Sequence, residues 1–179
     1  PLNDAGAIIC STLIKPELNV GKRVAYIKEK WESLAGGMRL GFNENAYAQA
    51  QKAADKDFVL AYFMKQKKIL SKDSSISNCL NLVFQCLSFE VTTEVQSIVA
   101  ATLANAGVCP VNGKKILGIE TAKSCLSLMY SCGMGDYSAE FAFSVGLPAK
   151  SGLSGSIMLV IPNVMGIAIW SPNIDADGN

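Results

Sequence analysis

Apolar residues recur at helical spacing through most of the chain. Val24, Ile27, Trp31 and Leu34 fall three or four positions apart, the repeat of one buried helix face. Asn19 is placed to open that helix and Ala35-Gly36-Gly37 to end it. Ahead of it, Asp4 precedes the run Ala5-Gly6-Ala7-Ile8-Ile9-Cys10 and is read as the cap of a short apolar helix, which reaches about Lys15 and is stopped by Pro16. A longer helical pattern runs from Asn43 to about Lys68, with a break expected near Ala53-Ala54-Asp55 and an apolar face of Val59, Tyr62 and Phe63. Lys65, Lys67 and Lys68 read as a solvated helix end. Ser71 to Ser77 is a polar loop, and Ile76 to Phe89 reads as a buried helix. Thr92 or Thr93 caps the next helix, which carries Glu94 in its first turn and ends at Asn105-Ala106-Gly107. Asn112-Gly113 suits a tight hairpin. Ile119 to Cys132 is helical, Gly133-Met134-Gly135 interrupts it, and Tyr137 to Val145 forms one more short helix.

The texture changes after Pro148. Gly155 to Pro162 and Val164 to Trp170 are rich in β-branched and large aliphatic residues, and read as two adjacent antiparallel strands joined through Pro162-Asn163. Many helices followed by a strand pair predict an α/β layer fold whose sheet is completed by both ends of a longer chain. Alone, the segment is expected to fold poorly, because those strands lack partners. No repeat and no dividing linker is visible. The start at Pro1 and the end at Asp175-Ala176-Asp177-Gly178-Asn179 suggest a piece of something longer.

Composition narrows the chemistry. Half the residues are apolar, 17% are charged and the net charge is +1, so bulk charge gives no case for a nucleic-acid or membrane partner. No apolar run reaches the roughly 18 residues of a membrane span, and no signal peptide is visible. The chain has no histidine, which excludes Ser-His and Cys-His mechanisms and His-ligated metals within this segment. Its six cysteines lack any C-x-x-C spacing and read as free, mostly buried thiols of a reducing compartment. Neither a metal nor a cofactor is expected. Glu90 and Glu94 read as solvated, and Met129 and Met134 as packing residues.

One tripeptide points to chemistry. Lys150-Ser151-Gly152 stands directly before a predicted strand. In serine β-lactamases and penicillin-binding proteins, Lys-Ser/Thr-Gly lies on the strand lining the active site. There its lysine adds positive potential and the strand backbone helps polarise a carbonyl. The partner motif Ser-x-x-Lys, nucleophile and base one helical turn apart, is absent: no serine here has lysine three residues later. The segment therefore offers no catalytic residue of its own.

Longer strings carry a resemblance that runs from end to end. They are Ala5-Gly6-Ala7-Ile8-Ile9-Cys10, Val99-Ala100-Ala101-Thr102-Leu103-Ala104-Asn105, Leu126-Ser127-Leu128-Met129, Ser131-Cys132-Gly133-Met134, Val145-Gly146-Leu147-Pro148-Ala149-Lys150-Ser151-Gly152, Ile161-Pro162-Asn163-Val164-Met165-Gly166 and Trp170-Ser171-Pro172. Together they resemble the glutaminases of animal kidney and liver type, with a serine β-lactamase-like fold. The resemblance implies that residues 1–179 form the central to C-terminal part of a single glutaminase domain. It implies hydrolysis of L-glutamine to L-glutamate and ammonia through a serine acyl-enzyme, with the Ser-x-x-Lys lying N-terminal to Pro1. It further implies homo-oligomers and an intracellular, mitochondrial location, and in animal-type relatives ankyrin repeats downstream.

Most of the family's substrate-binding positions are changed here. A family asparagine is replaced by Asp4, a substrate-binding glutamate by Ala50, a second asparagine by Asp57, and two tyrosines by Val83 and Gly135; Leu153 stands for a valine. Ala50 offers no carboxylate to an α-ammonium, and ionised Asp4 and Asp57 would offer acceptors where an α-carboxylate needs donors. Each charge-assisted hydrogen bond lost costs about 1.5–3 kcal/mol. The scaffold looks kept while the pocket is replaced, as in a pseudoenzyme. Two alternatives remain: an active amidohydrolase with a remodelled pocket, and a module that binds an amino acid or a protein without turnover.

Overall fold

A computed structural model describes residues 2–71 and 74–172. The chain divides into two compact units, one made of Asn3–Lys30 and Leu40–Glu90, the other mainly of Trp31–Arg39 and the residues from Val91 onward. No single linker divides them, because each unit is discontinuous in sequence. The readings placed on Pro1, on positions 72 and 73 of the polar loop, and on Asp175–Asn179 lie outside the described residues.

The first unit is helical. It holds α1 (Asp4–Leu13), the first turns of α2 (Val20–Leu34), α3 (Glu44–Lys52), α4 (Asp55–Gln66) and α5 (Ile76–Leu87), with a two-residue antiparallel pair, β1 (Gly41–Phe42) and β2 (Phe89–Glu90). The predicted break between α3 and α4 is present at Ala53-Ala54. The α5 helix stops two residues short of Phe89, because Phe89-Glu90 pairs with β1 instead. Ile76, Leu80 and Phe84, four apart on α5, form its buried stripe and meet Ile8 of α1 and Ala61 and Met64 of α4 in one cluster.

Two details differ from the sequence reading. Asn3, not Asp4, caps α1: Asn3 is extended (φ −136°, ψ 178°) and its Oδ1 accepts the Gly6 N–H at 2.9 Å, so Asp4 is already the first helical residue. At the other end of α1, the buried Arg23 reaches across from α2. Its Nε donates to the Ile14 carbonyl at 2.8 Å and its Nη2 to the Ser11 carbonyl. The last turn of α1 has no basic residue of its own, and Arg23 supplies the donors its orphan carbonyls need.

The second unit packs helices on a small sheet. It holds the end of α2, then α6 (Thr93–Ala104), α7 (Ile119–Cys132), a 3-10 turn (Gly135–Tyr137) and α8 (Ser138–Ser144). Strands β3 (Ala149–Gly152), β4 (Ser156–Ile161) and β5 (Met165–Trp170) form an antiparallel sheet in that order, with Ala149 opposite Leu159 and Val160 opposite Gly166. Thr92 caps α6 through the Val95 N–H. The α6 helix lies on β4 and β5, and Gly166 runs so close to the backbone of Ala100 and Ala101 that no side chain fits there. The hydroxyl of fully buried Thr102 donates to the Leu34 carbonyl at 2.8 Å, tying α6 to the end of α2. Asn112-Gly113 makes a tight turn with Gly113 at φ +69°, but the flanking segments share one bridge, Val108 with Lys115, and no extended hairpin.

The cysteine reading is corrected in part. All six thiols are free, yet only Cys79 and Cys109 are buried; Cys86, Cys125 and Cys132 are half-buried and Cys10 is exposed. Cys10 follows the apolar run of α1 but falls on its outer side.

Candidate functional site

Four of the sequence-predicted site residues lie in the first unit. Asp4 sits in the first turn of α1, Ala50 on α3, Asp57 in the first turn of α4 and Val83 on α5. Helix packing brings Asp4 and the start of α4 together. The Lys56 ammonium stands 3.5 Å from Asp4 Oδ2, with both side chains largely in solvent, so this ion pair adds little stability. Burial, and then the nearby Asp4 charge, push the Asp57 carboxyl above its ordinary range, while Lys56 pulls it back. Ala50 packs half-buried against the core cluster through its methyl group.

A polar network joining α3 to α5 escaped the sequence reading. The Tyr47 hydroxyl donates to Asn81 Oδ1 at 2.7 Å and accepts from Gln51 Nε2 at 2.9 Å, and Gln85 Nε2 donates to the same Asn81 oxygen at 2.9 Å. Its only trace in the sequence is two i, i+4 pairs, Tyr47 with Gln51 and Asn81 with Gln85, which face each other once α3 packs on α5. The network is made of neutral groups, so it supplies no substitute for a carboxylate at Ala50.

The remaining site residues lie in the second unit. Gly135 opens the 3-10 turn at φ +59°, a conformation that a tyrosine adopts only with strain. Ser138 fixes this corner: its hydroxyl donates to the Gly135 carbonyl at 2.6 Å and accepts the Met134 N–H at 3.1 Å. Lys150, Ser151 and Gly152 do not merely precede a strand; they form β3 itself, paired with Met158, Ile157 and Ser156. The run is only four residues long and contains lysine and glycine, too short and mixed for a strand pattern to show. Leu153 stands in the following turn and is 84% exposed.

The end of α7 fixes β3 from its other side. Ser151 N–H donates to the Gly133 carbonyl at 3.0 Å. Gly133 has an ordinary φ of −76°, but a Cβ there would collide with the Ala149 and Met129 carbonyls. Space, not backbone freedom, requires glycine. Ser151 is buried, and Lys150 is half-buried with its ammonium on the Ser151 carbonyl. Burial holds the Lys150 pKa below its ordinary value, and Cys132 pulls in the opposite direction. The strand thus presents an amine of reduced basicity that donates to its neighbour's carbonyl. No cluster of three or more potential ligands for a metal occurs among the described residues, and none of their helices is long and apolar enough to cross a membrane.

Comparisons with known proteins agree over the whole chain. The glutaminase family model matches residues 1–179. The mitochondrial liver isoform of glutaminase from Rattus norvegicus is 43% identical over 179 residues, which is all of this chain and 30% of the rat protein. Glutaminase from Clostridium tetani is 39% identical over 182 residues, covering all of this chain and 58% of that protein. Among solved structures, the covalent complex between Bacillus subtilis glutaminase YbgJ and 5-oxo-L-norleucine, formed by reaction with 6-diazo-5-oxo-L-norleucine, superposes with a TM-score of 0.92 at 29% identity, covering 99% of this chain and 62% of that one. The chain therefore spans less than two thirds of these relatives, and its helices and antiparallel strands are part of their β-lactamase-like fold. By sequence over all 179 residues and by fold, the chain belongs to the glutaminase family.

Proposed function

We propose that the protein containing this chain is a glutaminase-family member in which hydrolysis of L-glutamine is strongly reduced or lost. The observation that carries this reading is Ala50. The family resemblance calls for a carboxylate there to meet the substrate ammonium, and the hydrogen-bonded side chains of Tyr47, Gln51, Asn81 and Gln85 on the same two helices are all neutral. Asp4 and Asp57 add negative charge where the resemblance calls for neutral donors to a carboxylate. Val83 and Gly135 remove two phenol hydroxyls. Losses of about 1.5–3 kcal/mol per charge-assisted contact at several substrate-binding positions lower turnover by orders of magnitude, without adding strictly. Residues 1–179 act in this reading as the central to C-terminal part of one glutaminase domain. A mitochondrial location fits the rat liver isoform, and self-association follows from the family resemblance alone.

One observation favours a second reading, an amidohydrolase with a different substrate. The Lys150-Ser151-Gly152 strand is intact, and Lys150 has lowered basicity. A substrate without a free α-ammonium does not need a carboxylate at Ala50.

Covalent labelling separates the two from a working glutaminase. The full-length protein is incubated with 6-diazo-5-oxo-L-norleucine, the reagent used on the Bacillus subtilis relative, and its intact mass is followed. The proposal expects no adduct under conditions that label the Bacillus enzyme completely. An adduct formed at a similar rate contradicts it.

A further inference from the structure

An open groove of about 470 Å³ lies within the second unit, between the end of α6, one face of α7, and the Pro162-Asn163 turn that joins β4 to β5. Ile119, Lys123, Leu126 and Tyr130 line it and fall four, three and four positions apart along α7, so they share that face. Buried Leu103, Ala104 and Ala122 make its floor, while Ile119 and Tyr130 stay 60% and 45% exposed. Two residues of its edge hold the left-handed conformation without being glycine, Ala106 at φ +53° and Asn163 at φ +62°. The Asn163 N–H donates to the Ala104 carbonyl at 2.9 Å, which fixes the strand turn against the end of α6. Among the described residues that line the groove, Lys123 alone is charged. Its ammonium, the Asn163 carboxamide and the Tyr130 hydroxyl make no hydrogen bond or ion pair with other described residues. No lining residue is a position that the family resemblance assigns to glutamine.

We infer that this groove binds a small carboxylic acid with an apolar body, of the medium-chain fatty acid class, in its ionised form. Its volume falls within the roughly 300–1,000 Å³ of small-molecule sites, and apolar walls with a few polar groups are what such sites use. Contact of a hydrocarbon chain with Leu103, Ala122 and Leu126 supplies most of the affinity. The Lys123 ammonium attracts one carboxylate, and the Asn163 amide and Tyr130 hydroxyl are further donors at the same groove. Lys123 stands in solvent, so its share is modest and acts on selectivity. A dicarboxylate or phosphate ester leaves negative charge unmet by a single cation, and a sugar leaves hydroxyls against hydrocarbon. The chemistry of the lining therefore selects one anion on an apolar body.

The test is saturation-transfer NMR of octanoate with the full-length protein, a readout of binding that needs no turnover. Octanoate should bind saturably with a Kd on the order of 1 mM or tighter. Octanamide, of the same length without the charge, should bind several-fold more weakly. Lys123→Glu should weaken octanoate roughly tenfold and leave octanamide unchanged. Ser127→Trp, which fills the groove from its exposed rim, should abolish both, with each variant checked for native circular dichroism. Wild-type protein that takes up no octanoate overturns the proposal, whether the groove is empty or filled by another part of the full-length chain or a second copy. Octanamide binding as tightly as octanoate overturns it without recourse to either variant, and so does octanoate binding that Ser127→Trp leaves intact.

Discussion

Arg23 is a buried cation on which the last turn of α1 depends. It is 5% exposed, and its guanidinium donates to two carbonyls at the end of α1, Ile14 at 2.8 Å and Ser11. Truncation to alanine removes two charge-assisted hydrogen bonds, each worth about 1.5–3 kcal/mol. Loss of the cost of burying a guanidinium offsets part of that. Water can reach the Ile14 carbonyl, since that residue is only half-buried, but not easily that of buried Ser11. The net loss for Arg23→Ala is about 3 kcal/mol. Arg23→Met keeps the apolar stem and should cost about 2 kcal/mol. Arg23→Lys keeps a charge but cannot fork to both carbonyls, and should cost about 1.5 kcal/mol. Urea unfolding of the full-length variants measures the series, and amide exchange should locate the loosening at the last turn of α1. An Arg23→Ala midpoint within about 0.5 kcal/mol of wild type, or Lys as harmful as Ala, would refute the argument.

Further outcomes follow from the same structure. Burial pushes the Cys86 thiol up from 9.0 to about 11, against the pull of Arg23. The fold thus prefers the neutral thiol, so its contribution is complete below about pH 9 and is lost as pH rises through about 11; over that rise wild type should lose up to about 2 kcal/mol of stability that Cys86→Ala keeps. Equal pH slopes for the two proteins would contradict this. Gly133→Ala has to push the Ala149 carbonyl aside and should cost about 3 kcal/mol, read as a lower melting temperature; an unchanged one would show that α7 and β3 do not meet as described. The 179-residue chain expressed alone should aggregate, because β5 leaves Ile169 56% and Trp170 59% exposed on an edge strand. A cooperative melt of the monomer would count against that.

Most helices were legible because their signals are local. Asn19, Thr92, Ala35-Gly36-Gly37 and the apolar spacing of α2, α5 and α6 report on one segment at a time. The Asn3 and Asp4 choice failed for a physical reason: both residues cap well, and only the backbone angles tell which one is outside the helix. Strands β1, β2 and β3 were missed because two to four residues carry no period, and their stability comes from partners distant in sequence. The candidate site was legible only through the family strings. Composition and spacing gave the Lys150-Ser151-Gly152 motif and nothing more, while the roles of Asp4, Ala50, Asp57, Val83 and Gly135 come from resemblance. The buried bonds of Arg23 and the Tyr47–Asn81 contact join residues far apart in the chain, and no pattern within one helix announces them.

The central claim is that the pocket no longer serves glutamine. The measurement that tests it most directly is ammonia release from L-glutamine by the folded full-length protein, with phosphate present and the Clostridium tetani or rat liver enzyme run alongside. The account predicts turnover lower by several orders of magnitude than that of either relative. Turnover within about tenfold, a difference of only about 1.4 kcal/mol in the barrier, would contradict it and show that Ala50, Asp4 and Asp57 leave glutamine binding intact.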